Sequence, residues 1–170
     1  CYLIDTGRFE HLEKMKTVIV DFAKRIDIIN MNNIPLQHTI KIMKNHNHLQ
    51  KKIVEFIKNA DVYMDNFEYV EMDKIRLPGN NKNERAEERV LNLPDEVMDQ
   101  MRLISTYKGV PFPSILFDST GTKKIAALAG YVIEGLEKGR ILVVDELDSS
   151  IHFKLTRAIV AMFNNELNVN

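Results

Sequence analysis

The amino-acid sequence predicts an α/β fold, on three observations in its last third. Ile125, Leu128, Ala129, Val132, Ile133 and Leu136 recur at helical spacing, and Gly139 follows as a terminator. Ile141, Leu142, Val143 and Val144 form an unbroken apolar run, which predicts a strand buried on both faces of a parallel sheet. Ile151, Leu155, Ala158, Ile159, Met162 and Phe163 then mark a second amphipathic helix, with Ser149 or Ser150 available to cap its start. Helix, buried strand, helix is the unit from which α/β proteins are built.

The earlier elements are read in chain order. Leu12, Met15, Ile19, Phe22, Ile26 and Ile29 alternate at spacings of three and four, so one helix with an apolar stripe is predicted over residues 9–30. That stripe either packs on the chain's own domain or forms a short coiled-coil seam. Sustained heptads would run further, which favours packing. Asn32, Asn33, Ile34 and Pro35 end the helix. Two more helices follow, the second over about residues 48–59 with Leu49, Ile53, Phe56 and Ile57 on one face. Lys41, Lys44, Lys51, Lys52 and Lys58 make this the most basic stretch. A solvated helix face accounts for it better than nucleic-acid contact. His46 and His48 flank Asn47, a spacing that suits a metal on a strand, but no third ligand is evident and they read as surface residues.

Residues 67–77 alternate apolar with polar and predict a strand, ended by Pro78, Gly79, Asn80 and Asn81. The polar stretch up to Arg89 predicts an exposed loop. Residues 101–107 and 114–117 are short strand candidates, with Lys108, Gly109 and two prolines between them.

Composition excludes several classes. The net charge is −1, so nothing pulls the whole chain toward nucleic acid or membrane. The sole cysteine is Cys1, which rules out an internal disulfide and predicts a reducing compartment, the cytoplasm. No apolar run approaches the roughly 18 residues that a spanning helix needs. Residue 1 is not methionine and no signal-peptide pattern follows it, so the chain reads as cut from a longer one.

The chemistry gathers at three places. Asp145 and Glu146 end the apolar strand, where ligands bind in open α/β sheets. Two adjacent carboxylates there fit either a cation-dependent reaction or a plain acidic strand end, and the dipeptide alone leaves both open. After four aliphatic residues the pair has the Walker B pattern: the aspartate holds Mg²⁺ and the glutamate polarises the attacking water as a general base.

Asp118, Ser119, Thr120, Gly121 and Thr122 open the following helix. A helix start offers unpaired N–H groups and the positive dipole end. Ser119 and Thr122 add hydroxyls, and Gly121 lets a phosphate approach the backbone. An ordinary N-cap explains the same residues, and alone it is the better account. The position just upstream of the Walker B strand tips the reading to an anion cradle. Leu147, Asp148, Ser149, Ser150, Ile151 and His152 follow the glutamate, where a capped helix start and a functional loop are compatible.

These pieces in this order resemble the second half of an ABC-type nucleotide-binding domain. Asp118 to Thr122 matches the signature loop, though most transporters carry Leu-Ser-Gly-Gly-Gln there. Residues 141–146 match Walker B. Ser149, Ser150, Ile151 and His152 match the D-loop, with His152 where transporters have aspartate. Ser-x-Gly-Thr-Lys-Lys, a helix, then Gly-(Lys/Arg)-x-Leu-Val-Val-Asp-Glu-Leu-Asp-Ser-Ser-x-His is similar to bacterial AAA-family ATPases of the overcoming-lysogenization-defect type, many of them linked to anti-phage defence. The close match covers residues 117–170, with looser similarity over 49–77.

The resemblance implies the C-terminal half of a P-loop nucleotide-binding domain over residues 113–170, and a mainly helical lid with accessory strands over 1–112. It implies a homodimer that sandwiches ATP and Mg²⁺. Ser119, Gly121 and Thr122 of one subunit would cap the other's γ-phosphate. Asp145 would hold the metal, Glu146 would be the base, and Ser149, Ser150 and His152 would cross the interface. No G-x-x-x-x-G-K-[ST] loop occurs in these 170 residues. The resemblance puts that loop upstream and a switch histidine downstream, so the fragment alone is expected to be inactive. A non-catalytic interaction module that keeps the fold but binds a partner protein or nucleic acid is the alternative, and an effector protein or DNA is a candidate partner of the complete protein. A nuclease using Asp145, Glu146 and Asp148 is weaker, because the remaining carboxylates form no second cluster.

Overall fold

A computed structural model describes residues 5–61, 63–71 and 94–165; side-chain surroundings are described from residue 11 onward, apart from Ser149. The predicted strand beyond residue 71, the turn at Pro78 to Asn81 and the polar loop to Arg89 lie outside these residues.

The stripe over residues 9–30 belongs to two elements. Helix α1 (Asp5–Ala23) stops early, and strand β1 (Ile26–Asn30) follows. The expected packing of the stripe is also absent: Leu12, Met15, Ile19 and Phe22 are all more than half exposed. Ile26 and Ile29 fit helical spacing, but as a short apolar run they serve equally well in a strand, and pairing with a distant partner decides it.

That partner is β5 (Ile141–Asp145), which runs parallel to β1 in the register Ile26 to Ile141 through Asn30 to Asp145. Only one face of this pair is covered, contrary to the expectation of a strand buried on both sides. Ile29 is buried and Leu142 and Val144 are half-buried on the inner face, whereas Ile28, Ile141 and Val143 on the outer face are exposed, Ile28 to 83%. The near end of the pair is tied by Arg140, whose guanidinium donates to both Asp27 oxygens at 2.5 and 2.6 Å. Such a fork-to-fork pair fixes orientation as well as adding energy.

Helices α2 (Gln37–Asn45) and α3 (Asn47–Ala60) follow, and α3 buries Leu49, Ile53, Phe56 and Ile57 as its periodicity predicts. The antiparallel sheet β2 (Asn66–Tyr69), β3 (Leu103–Tyr107) and β4 (Val110–Pro113) stands beside them in that order, with α4 (Asp95–Met101) leading into β3. Lys108 and Gly109 both have positive φ, 51° and 74°, as a two-residue hairpin turn requires. Two prolines sit in β4, an edge strand that can spare their missing N–H groups. Residues 114–117 form one helical turn, α5 (Ser114–Phe117), instead of the expected strand.

Helix α6 (Thr120–Lys138) is the central post. Its Ala126, Leu128, Ala129, Val132 and Ile133 join α2, α3, Ile29, Phe67 and Leu103 in one buried core. Each fully buried aliphatic side chain of this kind contributes about 1.5–3 kcal/mol. Gly139 ends α6 in the left-handed conformation (φ 60°, ψ 42°), and the Arg140 N–H returns to the Gly135 carbonyl at 2.9 Å. This cap turns the chain straight into β5. A separate polar cluster locks α2, β2 and α4 together: Asp99 accepts from Tyr69 at 2.7 Å, from Lys44 at 3.1 Å and from Arg102 at 3.1 Å.

The C-terminal helix begins later than expected. Leu147–Ser150 is a single turn (α7), Ile151 is extended, and α8 (Phe153–Phe163) starts after it. The cap is therefore His152, whose Nδ1 accepts from the Lys154 N–H at 3.3 Å, in place of Ser149 or Ser150. Ile151 and Ile159 are buried, Leu155, Met162 and Phe163 are half-buried, and Ala158 is exposed.

Candidate functional site

Asp145 and Glu146 stand where β5 ends, beside the end of β1. The neighbouring strand and the turn after it supply one amide each. Asn30 faces Asp145 in register and donates to its Oδ2 at 3.3 Å. The Asn32 side chain donates to Glu146 Oε2 at 2.5 Å. Asn30 Oδ1 accepts from the Asn32 backbone N–H at 2.9 Å, a local turn that sets the two amides side by side. Glu146 has φ 56°, a left-handed conformation that costs a non-glycine residue about 1–2 kcal/mol. It throws the chain from β5 directly into α7, leaving the carboxylate at the sheet's carboxyl edge.

Lys124 of α6 completes this corner. Its ammonium donates to Asn32 Oδ1 at 3.4 Å and to Ser150 Oγ at 3.1 Å. Ser150 thus joins the carboxylate corner through Lys124, while Ser149 contributes the backbone of α7 and His152 serves as the helix cap just beyond. Asn30, Asn32 and Lys124 were not singled out by sequence reasoning. The only signal was the i, i+2 spacing of the two asparagines, which suits the local turn in which the Asn30 side chain accepts from the Asn32 N–H.

The start of α6 is more internally bonded than an open cradle. Ser119 is the N-cap and accepts from the Thr122 N–H at 3.0 Å. The Thr122 hydroxyl donates to Asp61 Oδ2 at 3.2 Å, so the 2.9 Å contact between the two hydroxyls has Ser119 as donor. Tyr107 also donates to Asp61, at 2.8 Å; burial and then this bond raise the phenol well above its ordinary value. Beneath them the buried Asp118 accepts from Ser105 at 2.5 Å and Ser114 at 2.6 Å. Carboxylates here are favoured by the helix dipole. The first-turn N–H groups of Thr120 and Gly121 have no intrahelical acceptor. A Cβ on Gly121 would meet only Ser119 Oγ, at 3.6 Å, so the chain's own packing does not require glycine there.

Beside this helix start lies an open groove of about 320 Å³, floored by Met31, Ile34, Leu36 and Ala127 and edged by Asn32 and Lys124. Among the described residues no cluster of three His, Cys, Asp or Glu could hold a metal by itself. His46 and His48 lie edge to face, 6.5 Å apart, and His48 pairs with Glu137 at 3.5 Å. No helix is long and apolar enough to cross a membrane among the described residues.

A family model described as "AAA domain, putative AbiEii toxin, Type IV TA system" matches residues 23–168. No curated protein and no solved structure matches the chain.

Proposed function

The chain belongs to this AAA-domain family of P-loop NTPases, and from that premise we propose that it is the signature-loop and Walker B part of an ABC-type ATPase head. One observation carries the proposal: Asp145 and Glu146 stand together at the carboxyl edge of a parallel strand pair, Asp145 held by an amide from the neighbouring strand and Glu146 by one from the turn that follows that strand. Asp145 is exposed and takes a long bond from Asn30, which leaves acceptor capacity for a cation. Mg²⁺ bound there would neutralise charge developing on the phosphates. Glu146 would accept the proton of the attacking water.

Ser119, Gly121 and Thr122 are assigned to cap the nucleotide of a second subunit, and Ser149, Ser150 and His152 to line the dimer interface. The single ordinary contact that a Cβ on Gly121 would meet, and the Thr120 and Gly121 N–H groups that have no intrahelical acceptor, support the capping role. The phosphate-binding loop would come from residues outside these 170. The exposed outer face of β1 and β5 supports this, because parallel sheets are ordinarily covered on both faces. In the complete protein the partner is a second copy, with an effector protein or DNA as a further candidate.

Glu146→Gln in a complete protein carrying that loop should form an ATP-trapped dimer on size-exclusion chromatography with light scattering. The isolated chain should show no ATP turnover. Hydrolysis by the isolated chain, or a monomeric Glu146→Gln protein at saturating ATP, would overturn the proposal.

A further inference from the structure

We infer that Asn32 and Lys124 form a relay that positions the Glu146 carboxylate according to the state of the α6 helix start. The inference rests on Glu146 acting as the base, as proposed above.

The relay joins three segments that are remote in sequence: the start of α6, the turn after β1, and the stretch from Glu146 to Ser150. Lys124 lies on α6, just over one turn beyond the capping Ser119. It reaches Asn32, in the segment after β1, and Ser150 of α7. Asn32 then reaches Glu146, after β5. The chemistry fixes the direction of the asparagine amide. An ammonium only donates and a carboxylate only accepts, so the carbonyl must face Lys124 and the NH₂ must face Glu146. A flipped amide would set donor against donor and acceptor against acceptor. An amide is therefore suited to this place: it carries an acceptor and two donors on one rigid plane.

A shift of α6 moves Lys124 directly, because the lysine belongs to that helix. Lys124 draws on the Asn32 carbonyl, and the same rigid amide carries the shift to Glu146. Engagement of the α6 start by a second subunit's nucleotide would thus be felt at this subunit's own base. Asn32 and Lys124 are positioning residues: they act through Glu146 and touch no reacting atom. Coupling of this kind makes turnover at the two sites of a dimer interdependent.

The test is steady-state Mg²⁺–ATP hydrolysis by the complete protein. Asn32→Leu and Lys124→Met should lower kcat about 10- to 100-fold, the range expected from a displaced catalytic group, with KM within about twofold. Lys124→Met should also bring the Hill coefficient toward 1, and Lys124→Arg, which keeps a cationic donor, should recover most of kcat. In the Glu146→Asp background, which keeps a weaker base on a side chain one methylene shorter, Asn32→Leu should cause little further loss, because its effect passes through that side chain. Wild-type kcat in both variants, or losses that multiply in the double variant, would overturn the relay while leaving the ATPase reading intact. Absence of turnover in the wild-type protein would overturn both.

Discussion

Thr39 of α2 lies so close to Gly130 of α6 that a methyl group on Gly130 would come within 2.6 Å of the threonine hydroxyl and 2.8 Å of its Cα. The same hydroxyl donates to the Ala127 carbonyl at 2.9 Å and accepts from the Gly130 N–H at 3.1 Å. One fully buried side chain thereby fixes the crossing of the two helices that flank the site.

Gly130→Ala should therefore destabilise the chain by about 1–3 kcal/mol, the usual result of forcing a group into a filled contact. In an uncrowded helix the same change would add roughly 1 kcal/mol of stability. Urea unfolding monitored by circular dichroism distinguishes the two signs.

Gly121→Ala should behave in the opposite manner. Its added Cβ meets one atom at an ordinary contact distance, so thermal stability should hold or rise slightly. Turnover by the complete protein should fall at least tenfold if a phosphate approaches this backbone. Unchanged turnover would count against the capping role.

Asp118→Ala removes the acceptor of two serine hydroxyls, those of Ser105 and Ser114, at a site only 7% exposed. The expected loss is about 2–4 kcal/mol, from buried hydroxyls left without partners. Scanning calorimetry should show a fall in Tm of roughly 4–16 °C. Asp118→Asn keeps an acceptor oxygen and should lose less.

Acid should weaken the fold through Asp99 and Glu134. Burial pushes both carboxyls up, but bonds outweigh it: Tyr69, Lys44 and Arg102 on Asp99, Lys138 and the His38 charge on Glu134. Both are held below their ordinary values. A carboxyl lowered in the folded state stabilises fully above its unfolded value, and that contribution fades as pH falls through the folded one. Urea midpoints should be flat above about pH 5.5 and fall below about pH 4.5. Asp99→Asn should make that fall shallower.

The sequence made some of this fold legible. Local signals did so for α3, α6 and its Gly139 cap, because spacing and capping act within a few residues. They failed where a distant partner decides. Ile26 and Ile29 continue a helical spacing yet lie in a strand, because β5 is there to pair with them. His152 displaced the serines as cap because Ile151 is extended and buried, which breaks the helix before it. Asp145 and Glu146 were legible from the apolar run that precedes them. Asn30, Asn32 and Lys124 were not, since each takes its meaning from a residue 26 to 115 positions away.

The parallel pairing of β1 with β5 also sets an order of events in folding. Asn30 and Asp145 are 115 positions apart, so closing that loop is entropically costly and gains little until α2, α3 and α6 have packed between them. The carboxylate corner should thus be among the last features to form. A chain whose helical core is misassembled would lack a held Glu146, which ties nucleotide chemistry to completed folding.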